Sequence, residues 1–462
     1  MRCCQGGVPP ETFSPASNCD IPRVTFSLAL LKSDAPSTAT PSSLACRVEE
    51  VLGDFVRWLD GYGETSRDHQ SFFAGKVGGA AKRLYYRNQR LGTAAVAPMS
   101  FFEAFVPAAR HFFHERIRFP IADAHYAMGF AFLHRFSNDP AHLARAVHFL
   151  EELKKSRCAQ FEDYCWGYPF DWVTRGGTIT RQTPLITSTP YMYEAFRQVY
   201  EVDGREEWLK IMASIARHAA RDIKDFPTSA KASTCSYTPS DKGGVINAAA
   251  YRGFLLTSAS VLLGNDEYAE IAARNVNFVL ENQNADGSWF YAVDGVRDFV
   301  DHFHTCFVMK ALAKIHTLIG GETLLSALDR GLAYYQRNLF DTDGEPKPFA
   351  RAPRLTVYKR ELYDFAECIN LCLLLRDRFP EVDATLQRVV GRVLADWVKP
   401  DGSFRSRKLL AGWDNVPMHR WAQSQMFRSL AYYAADERGS TSAAVVTAGA
   451  TPVVHDDPVA AE

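Results

Sequence analysis

The densest titratable group in this chain is Asp301-His302-Phe303-His304, three ionisable side chains in four positions. An imidazole of near-neutral pKa takes or returns a proton at physiological pH, and a neighbouring carboxylate fixes its tautomer and raises its basicity. His304 is therefore the candidate base and Asp301 its partner. Asp301 equally suits a helix N-cap, accepting from orphan N–H groups of a helix that starts at Phe303. Two further carboxylates stand in polar, aromatic-rich stretches: Asp171 in Tyr168-Pro169-Phe170-Asp171-Trp172, and Asp241 in Ser236-Tyr237-Thr238-Pro239-Ser240-Asp241. Asp171, Asp241 and Asp301 suit glycosidic hydrolysis, in which one carboxyl protonates the leaving oxygen and another activates water or attacks. Asn247, His304, Tyr237 and Arg175 suit removal of the proton α to a uronate carboxylate, where Asn or Arg neutralises the carboxylate and His or Tyr moves the proton.

Around these lie groups that could hold a sugar. Trp166, Tyr168 and Trp172 offer flat faces for stacking, and Arg175 can grip a hydroxyl or a carboxylate. His302, Lys359, Arg360, Tyr363, Arg420 and Trp421 are the remaining candidate binders. Ten lysines and arginines fall in or near the same loops, Arg354 and Arg407 among them, and a basic mouth suits an anionic glycan. His302 and His304 lack a third ligand at any recognised metal spacing, so neither a metal nor an organic cofactor is expected.

Residues this far apart in sequence converge only if repeated elements carry them. The phrases Asp286-Gly287-Ser288-Trp289, Asp343-Gly344-Glu345 and Asp401-Gly402-Ser403-Phe404 recur at about 57 residues, the length of one supersecondary unit. Helical segments keep the same period. One set starts near Ile121, Ser188, Ile246, Phe303, Glu361 and His419, and a second near Pro140, Arg205, Asp266, Glu322 and Glu381. Asp266 to Gln283 has a single apolar stripe, as an outer helix needs, whereas Phe303 to Ile319 is apolar nearly all round, as an inner helix needs. The sixth inner helix, from His419, has no following partner. The amphipathic segment Cys46 to Trp58 can supply one, which closes six hairpins into an all-α (α/α)6 toroid. The expected layout is a disordered leader over 1–44, the toroid over 45–436 with 70–115 packed over one mouth, and a disordered tail over 437–462.

Gln283-Asn284-Ala285-Asp286-Gly287-Ser288-Trp289 resembles the Q-x-x-x-G-x-W repeat of terpene-cyclase-like toroids. The region from about 120 to 436 resembles the six-hairpin glycosidase-like enzymes, which include unsaturated glucuronyl hydrolases, sugar 2-epimerases and toroidal polysaccharide lyases. That resemblance implies a carbohydrate-active enzyme, a hydrolase or a lyase/C5-epimerase, acting on an acidic, uronate-containing glycan. The Asn, His, Tyr and Arg types match those of the toroidal lyases in chemistry, without their local motif. A terpene cyclase would need a D-x-D-D or D-D-x-x-D motif, and neither is present. A lanthipeptide-cyclase-like zinc toroid would need paired Cys and Cys-His ligands, which are also missing. A non-catalytic glycan-binding ring is the alternative from another class.

Composition narrows the partners. The 462 residues are 47% hydrophobic and carry 52 basic against 53 acidic side chains, a core-forming and nearly neutral chain. Nucleic-acid and membrane-surface binders concentrate positive charge, so no nucleic acid is expected, and no apolar run approaches the roughly 20 residues of a membrane span. Ten cysteines without paired spacing read as free thiols in a reducing cytoplasm.

Overall fold

The computed structural model describes residues 43–353 and 356–448, with side chains to residue 439. It opens with α1 (Ser43–Tyr62), α2 (Ser71–Ala74), α3 (Lys76–Arg87) and α4 (Gln89–Phe105). Five hairpins follow: α5 (Pro120–Ser137) with α6 (Pro140–Lys155), α7 (Thr189–Asp203) with α8 (Glu206–Arg221), α9 (Ile246–Leu263) with α10 (Asp266–Glu281), α11 (His302–Ile319) with α12 (Glu322–Asn338), and α13 (Leu362–Leu375) with α14 (Val382–Arg392). A wide turn at His419–Gln423 then leads into α15 (Ser424–Ala448). From α5 to α15 each odd-numbered helix touches the next, and α15 touches α5, so six inner helices close a ring. This is the expected (α/α)6 toroid, and its helices start within a few residues of the expected positions.

Burial explains the two kinds of helix. Every residue of α9 from Ile246 to Ala259 is buried. By length and composition α9 could also cross a membrane, but 78% of it lies inside the ring. Outer helix α8 buries the stripe Trp208, Ile211, Met212, Ile215 and Ala219 and turns Glu206, Glu207 and Lys210 to water.

The 57-residue phrase has a mechanical role. Asp286 Oδ1 accepts the Ser288 N–H at 2.9 Å, and Asp401 Oδ1 accepts the Ser403 N–H at 3.0 Å. The glycines between them have φ of +93° and +86°, where an L side chain is strained. A Cβ at Gly287 would stand 2.2 Å from the Arg330 carbonyl of α12, and one at Gly402 would stand 2.6 Å from the Asp54 carbonyl of α1. Each turn leans on the next outer helix, and the third leans on α1. The N-terminal helix is thereby the sixth outer helix, with Phe55 stacked on Phe404 and Phe427, both at 5.1 Å.

Trp289 donates its indole N–H to the Val279 carbonyl at 3.0 Å, and Trp166 donates to the Leu153 carbonyl at 2.9 Å. Both rings are buried on the outer helix that precedes them. Trp166 is thus a core aromatic of the repeat, not the sugar platform expected from the sequence.

Outer-to-inner connections fold into four small antiparallel sheets, which the all-α reading omitted: 172–174 with 177–179, 225–227 with 233–235, 300–301 with 349–351, and the trio 358–361, 407–409 and 413–414. At the C-terminus α15 runs to Ala448, past residue 436 where the toroid was expected to end. The leader over 1–44, apart from the start of α1, and the tail beyond 448 lie outside the described residues. Arg354 does too. The seven cysteines among the described residues are free thiols.

Candidate active site

Every outer-to-inner loop opens at one mouth, where the first turns of the inner helices meet. The segment between α1 and α5 lies over part of it. Arg110, fully buried, donates to both oxygens of Asp414 at 3.0 and 2.6 Å. Arg407 donates to Glu103 at 3.0 Å, and Arg420 to Asp68 at 2.6 Å. His419 is held by the Ser66 hydroxyl, which accepts its backbone N–H, and by the Gly63 carbonyl and Tyr126 hydroxyl at its ring. Burial drives that imidazole down to about 4, so it is neutral there.

Inside the rim, half-buried aromatic rings form a chain. Trp172 lies 5.6 Å from Tyr168, whose face is covered by the Arg420 guanidinium at 4.9 Å. Arg420 also packs on Trp421, which stacks on Tyr363 at 4.6 Å and 17°. Phe303 meets both of those rings edge-on. His304 then meets Tyr291 edge-on at 4.6 Å, and Tyr237 lies 6.3 Å from Trp172 to complete the circuit. Burial raises the Tyr291 phenol to about 12, and burial with its tyrosine neighbours raises Tyr237 further.

On this rim His304 Nδ1 meets Asp301 Oδ2 at 2.7 Å, while Asp301 Oδ1 accepts the His304 backbone N–H at 2.9 Å. Capping and tautomer control are therefore one arrangement: the cap that starts α11 also orients the imidazole. His304 Nε2 carries no hydrogen bond from a described residue, and the side chain is 23% exposed.

At the equivalent first-turn position of the next inner helix is a carboxyl outside the expected set. Asp364, in the first turn of α13, is fully buried, and neither of its oxygens has a hydrogen-bond partner among the described residues. Burial lifts its pKa well above the carboxylate range, and the charges of Glu361 and Asp301 add to that rise. Asn247, in the first turn of α9, is also buried with its Oδ1 unpartnered.

Deeper along the axis, Lys310 of α11 and Arg428 of α15 flank Glu367 of α13, and Lys314 pairs with Glu194 of α7. The Tyr191 and Tyr251 hydroxyls are 2.6 Å apart, and neither ring nitrogen of buried His125 has a partner among the described residues. Burial beside Arg428 and Lys310 keeps that imidazole neutral. An orphaned buried group costs about 1–3 kcal/mol, so this cluster of polar groups sets the axis apart from the apolar ring around it.

The structure separates the expected site residues. His304, Asp301, Asn247, Tyr237, Tyr168, Trp172, Tyr363 and Trp421 converge on the mouth. Asp241 does not serve as a free acid: its carboxylate accepts the N–H groups of Tyr237, Thr238 and Gly243 and the Thr238 hydroxyl, which closes a turn. His302 points into the wall, between the Tyr335 hydroxyl at 2.8 Å and the Leu339 carbonyl at 3.2 Å. Asp171 is exposed and accepts the Arg181 N–H, fastening the 172–179 hairpin. Three of the ten basic residues expected at the mouth are neutralised. Arg360 is paired with Asp341 and Glu345, Arg407 with Glu361 and Glu103, and Arg420 with Asp68. Arg175 at its hairpin tip, Arg181, Lys242, Lys359 and Lys408 remain exposed cations without a carboxylate partner among the described residues. No group of three or more His, Cys, Asp or Glu among the described residues could hold a metal ion.

Asp364 was detectable in principle. An acid among Leu362, Phe365 and Ala366 breaks an otherwise apolar inner helix, as Glu367, Lys310 and Arg428 do on theirs, and such groups are seldom buried without a task. His69, half-buried and edge-on against Trp421 at 4.8 Å, gave no signal because its segment lies outside the repeat.

No protein-family model matches the sequence, and no curated protein matches it. Solved structures match its fold. An unsaturated glucuronyl hydrolase specific for heparin superposes with a TM-score of 0.56 at 11% identity, over 86% of this chain and 96% of that one. Cellobiose 2-epimerase from Bacillus thermoamylovorans gives 0.55 at 9%, over 69% and 87%. A GH76 α-mannanase from Bacteroides thetaiotaomicron gives 0.51 at 10%, over 71% and 88%. All are six-hairpin toroids, and likeness at this identity shows the shared fold.

Proposed function

We propose that this toroid is a carbohydrate-active enzyme working by side-chain acid–base catalysis, with Asp364 as the acid and the His304–Asp301 dyad as the base. The observation that carries the reading is Asp364: a buried carboxyl with no hydrogen-bond partner among the described residues, its pKa pushed well above the carboxylate range, on the helix next to an oriented imidazole. A group raised in this way delivers a proton without first having to acquire one.

The chemistry that uses both groups is hydrolysis. Asp364 gives its proton to the glycosidic oxygen as the C–O bond breaks, and His304 Nε2 takes a proton from the water that attacks the anomeric carbon. Asp301 orients the imidazole through Nδ1, leaves Nε2 for the water, and stabilises the imidazolium that forms. Tyr363, Trp421, Tyr168 and Trp172 supply stacking faces, and Asn247 an acceptor for a hydroxyl. The substrate we favour is a uronate-containing oligosaccharide. That choice rests on Arg175 and Lys359 at the rim and on the heparin-specific hydrolase among the structures of like fold. Free thiols throughout the described chain support the cytoplasmic placement we adopt.

The test is incubation with uronate oligosaccharides while following reducing ends, absorbance of an unsaturated product and solvent deuterium at C5. Reducing ends alone are expected, and Asp364→Asn and His304→Ala should each lower kcat about a hundredfold or more with the helical signal intact. New absorbance would make the reaction elimination, and exchange alone would make it epimerisation. Wild-type turnover in Asp364→Asn would remove the acid from the scheme.

A further inference from the structure

Eight of the thirteen exposed large apolar side chains among the described residues lie between Val77 and Phe112, in the segment over the mouth. On α4 they form a line. Leu91, Ala94, Pro98, Phe101 and Phe105 recur at three- and four-residue spacing, and all are exposed. Leu91 is 61% exposed, Phe101 56% and Phe105 52%, with Phe112 beyond the helix at 79%. The opposite side of α4 faces the protein through Gly92, Met99 and Ala104. This helix is therefore amphipathic in reverse, with an apolar stripe on each side.

Charge supplies the second observation. Exposed Lys76, Arg83 and Arg87 share one face of α3, and Arg90 stands at the start of α4. Between His69 and Phe113 the sequence holds one carboxylate, Glu103, and Arg407 takes it. A cationic row thus runs beside an apolar row on one helical hairpin.

We propose that the α3–α4 hairpin docks this molecule on an anionic lipid surface, with α4 lying in the interface plane. Apolar side chains that project on a helix, flanked by basic residues and without an exposed acid, match the requirements for interfacial insertion next to anionic headgroups. Protein hot spots are instead half-enclosed and sit in pockets. Self-pairing is disfavoured by charge: an isologous α4–α4 contact would set the basic rows against each other, with no acid to pair across it. The neutral total of the chain hides this local excess.

Sedimentation of the full chain with sucrose-loaded vesicles tests the proposal. Binding is expected to mixed phosphatidylcholine–phosphatidylserine vesicles, to weaken in high salt, and to be far lower with phosphatidylcholine alone. Partitioning should fall about tenfold or more in Phe101→Ser/Phe105→Ser/Phe112→Ser, and also in Arg83→Glu/Arg87→Glu. Both variants should keep the wild-type circular dichroism and melting curve, because the changed side chains face water. Failure of the wild type to sediment with the anionic vesicles, or equal binding by the variants, overturns the proposal. So does a concentration-dependent dimer that the triple-serine variant disperses, which would assign the face to a second copy. Protease protection of residues 1–42 that disappears in the same variant would assign it to the leader, and equally overturns it.

Discussion

A carboxyl deep in a helical ring is costly when charged, and Asp364 shows the consequence. Its folded pKa lies above the unfolded value because burial, Glu361 and Asp301 all oppose ionisation. The folded state therefore holds this proton more tightly than the unfolded chain. The associated stability is fully present below about pH 4, where both states are protonated, and is lost as pH rises through the folded pKa. Asp364→Asn keeps the shape and removes the titration. The variant is expected to gain stability over wild type as pH rises and to match it in acid, while losing turnover at every pH; melting curves and rates across pH check both. A stability gap that does not change with pH would mean that Asp364 is not held protonated. At this scale the sequence was half legible. The Asp301–His304 pair could be read because capping and tautomer control need the same short spacing. Asp241 and Asp171 misled because a loop carboxylate that closes a turn looks, in sequence, like one that waits for substrate. Asp364 was passed over because its importance comes from enclosure, which sequence order does not display.

At the scale of elements the repeat was the readable feature, and it predicts a graded series of glycine variants. Gly402 and Gly287 have positive φ and face the backbone carbonyls of Asp54 and Arg330. Gly344 has φ of +73° but faces only the Arg388 side chain, which can move, and Gly204 has φ of +67° with nothing within 4 Å. Alanine at Gly204 should cost about 1–3 kcal/mol from conformation alone. Gly344→Ala should cost a little more, and Gly402→Ala and Gly287→Ala the most, since an outer helix must shift. Urea denaturation gives the ranking, and equal losses across the series would mean that the turns do not brace the next hairpin. Trp166 belongs here too. It misled because aromatic content in a loop does not reveal whether a ring faces the axis or the preceding helix. The matching indole bonds of Trp166 to Leu153 and Trp289 to Val279 give the distinction. The small sheets at the mouth were invisible for a related reason, since strands of two to four residues carry too little alternation to register.

The whole molecule is closed twice, once around the ring and once over the mouth. Closure of the ring could be read, because a sixth inner helix without a partner and an amphipathic N-terminal helix imply each other. That residues 70–115 cover a mouth could be expected too, but not how the cover is fastened, because that depends on ion pairs between residues hundreds of positions apart. Arg110 and Asp414 are the tightest of these, both side chains fully buried and joined by two hydrogen bonds. The attraction between buried ions is offset by the loss of their hydration, so the pair contributes less to stability than its geometry suggests, whereas a single survivor is left as an uncompensated charge. Arg110→Met should therefore destabilise the protein by about 3–5 kcal/mol, while Arg110→Met/Asp414→Leu should recover most of that loss. Denaturation of the single and double variants measures the stability term. Proteolysis between α1 and α5 measures whether the covering segment has come loose, and KM measures whether its loosening reaches the site. A double variant no more stable than the single one would mean that the ions hold the cover in a way apolar packing cannot replace. In that case the network of Arg110, Arg407 and Arg420 would be a positioning device for the mouth and not merely a fastening.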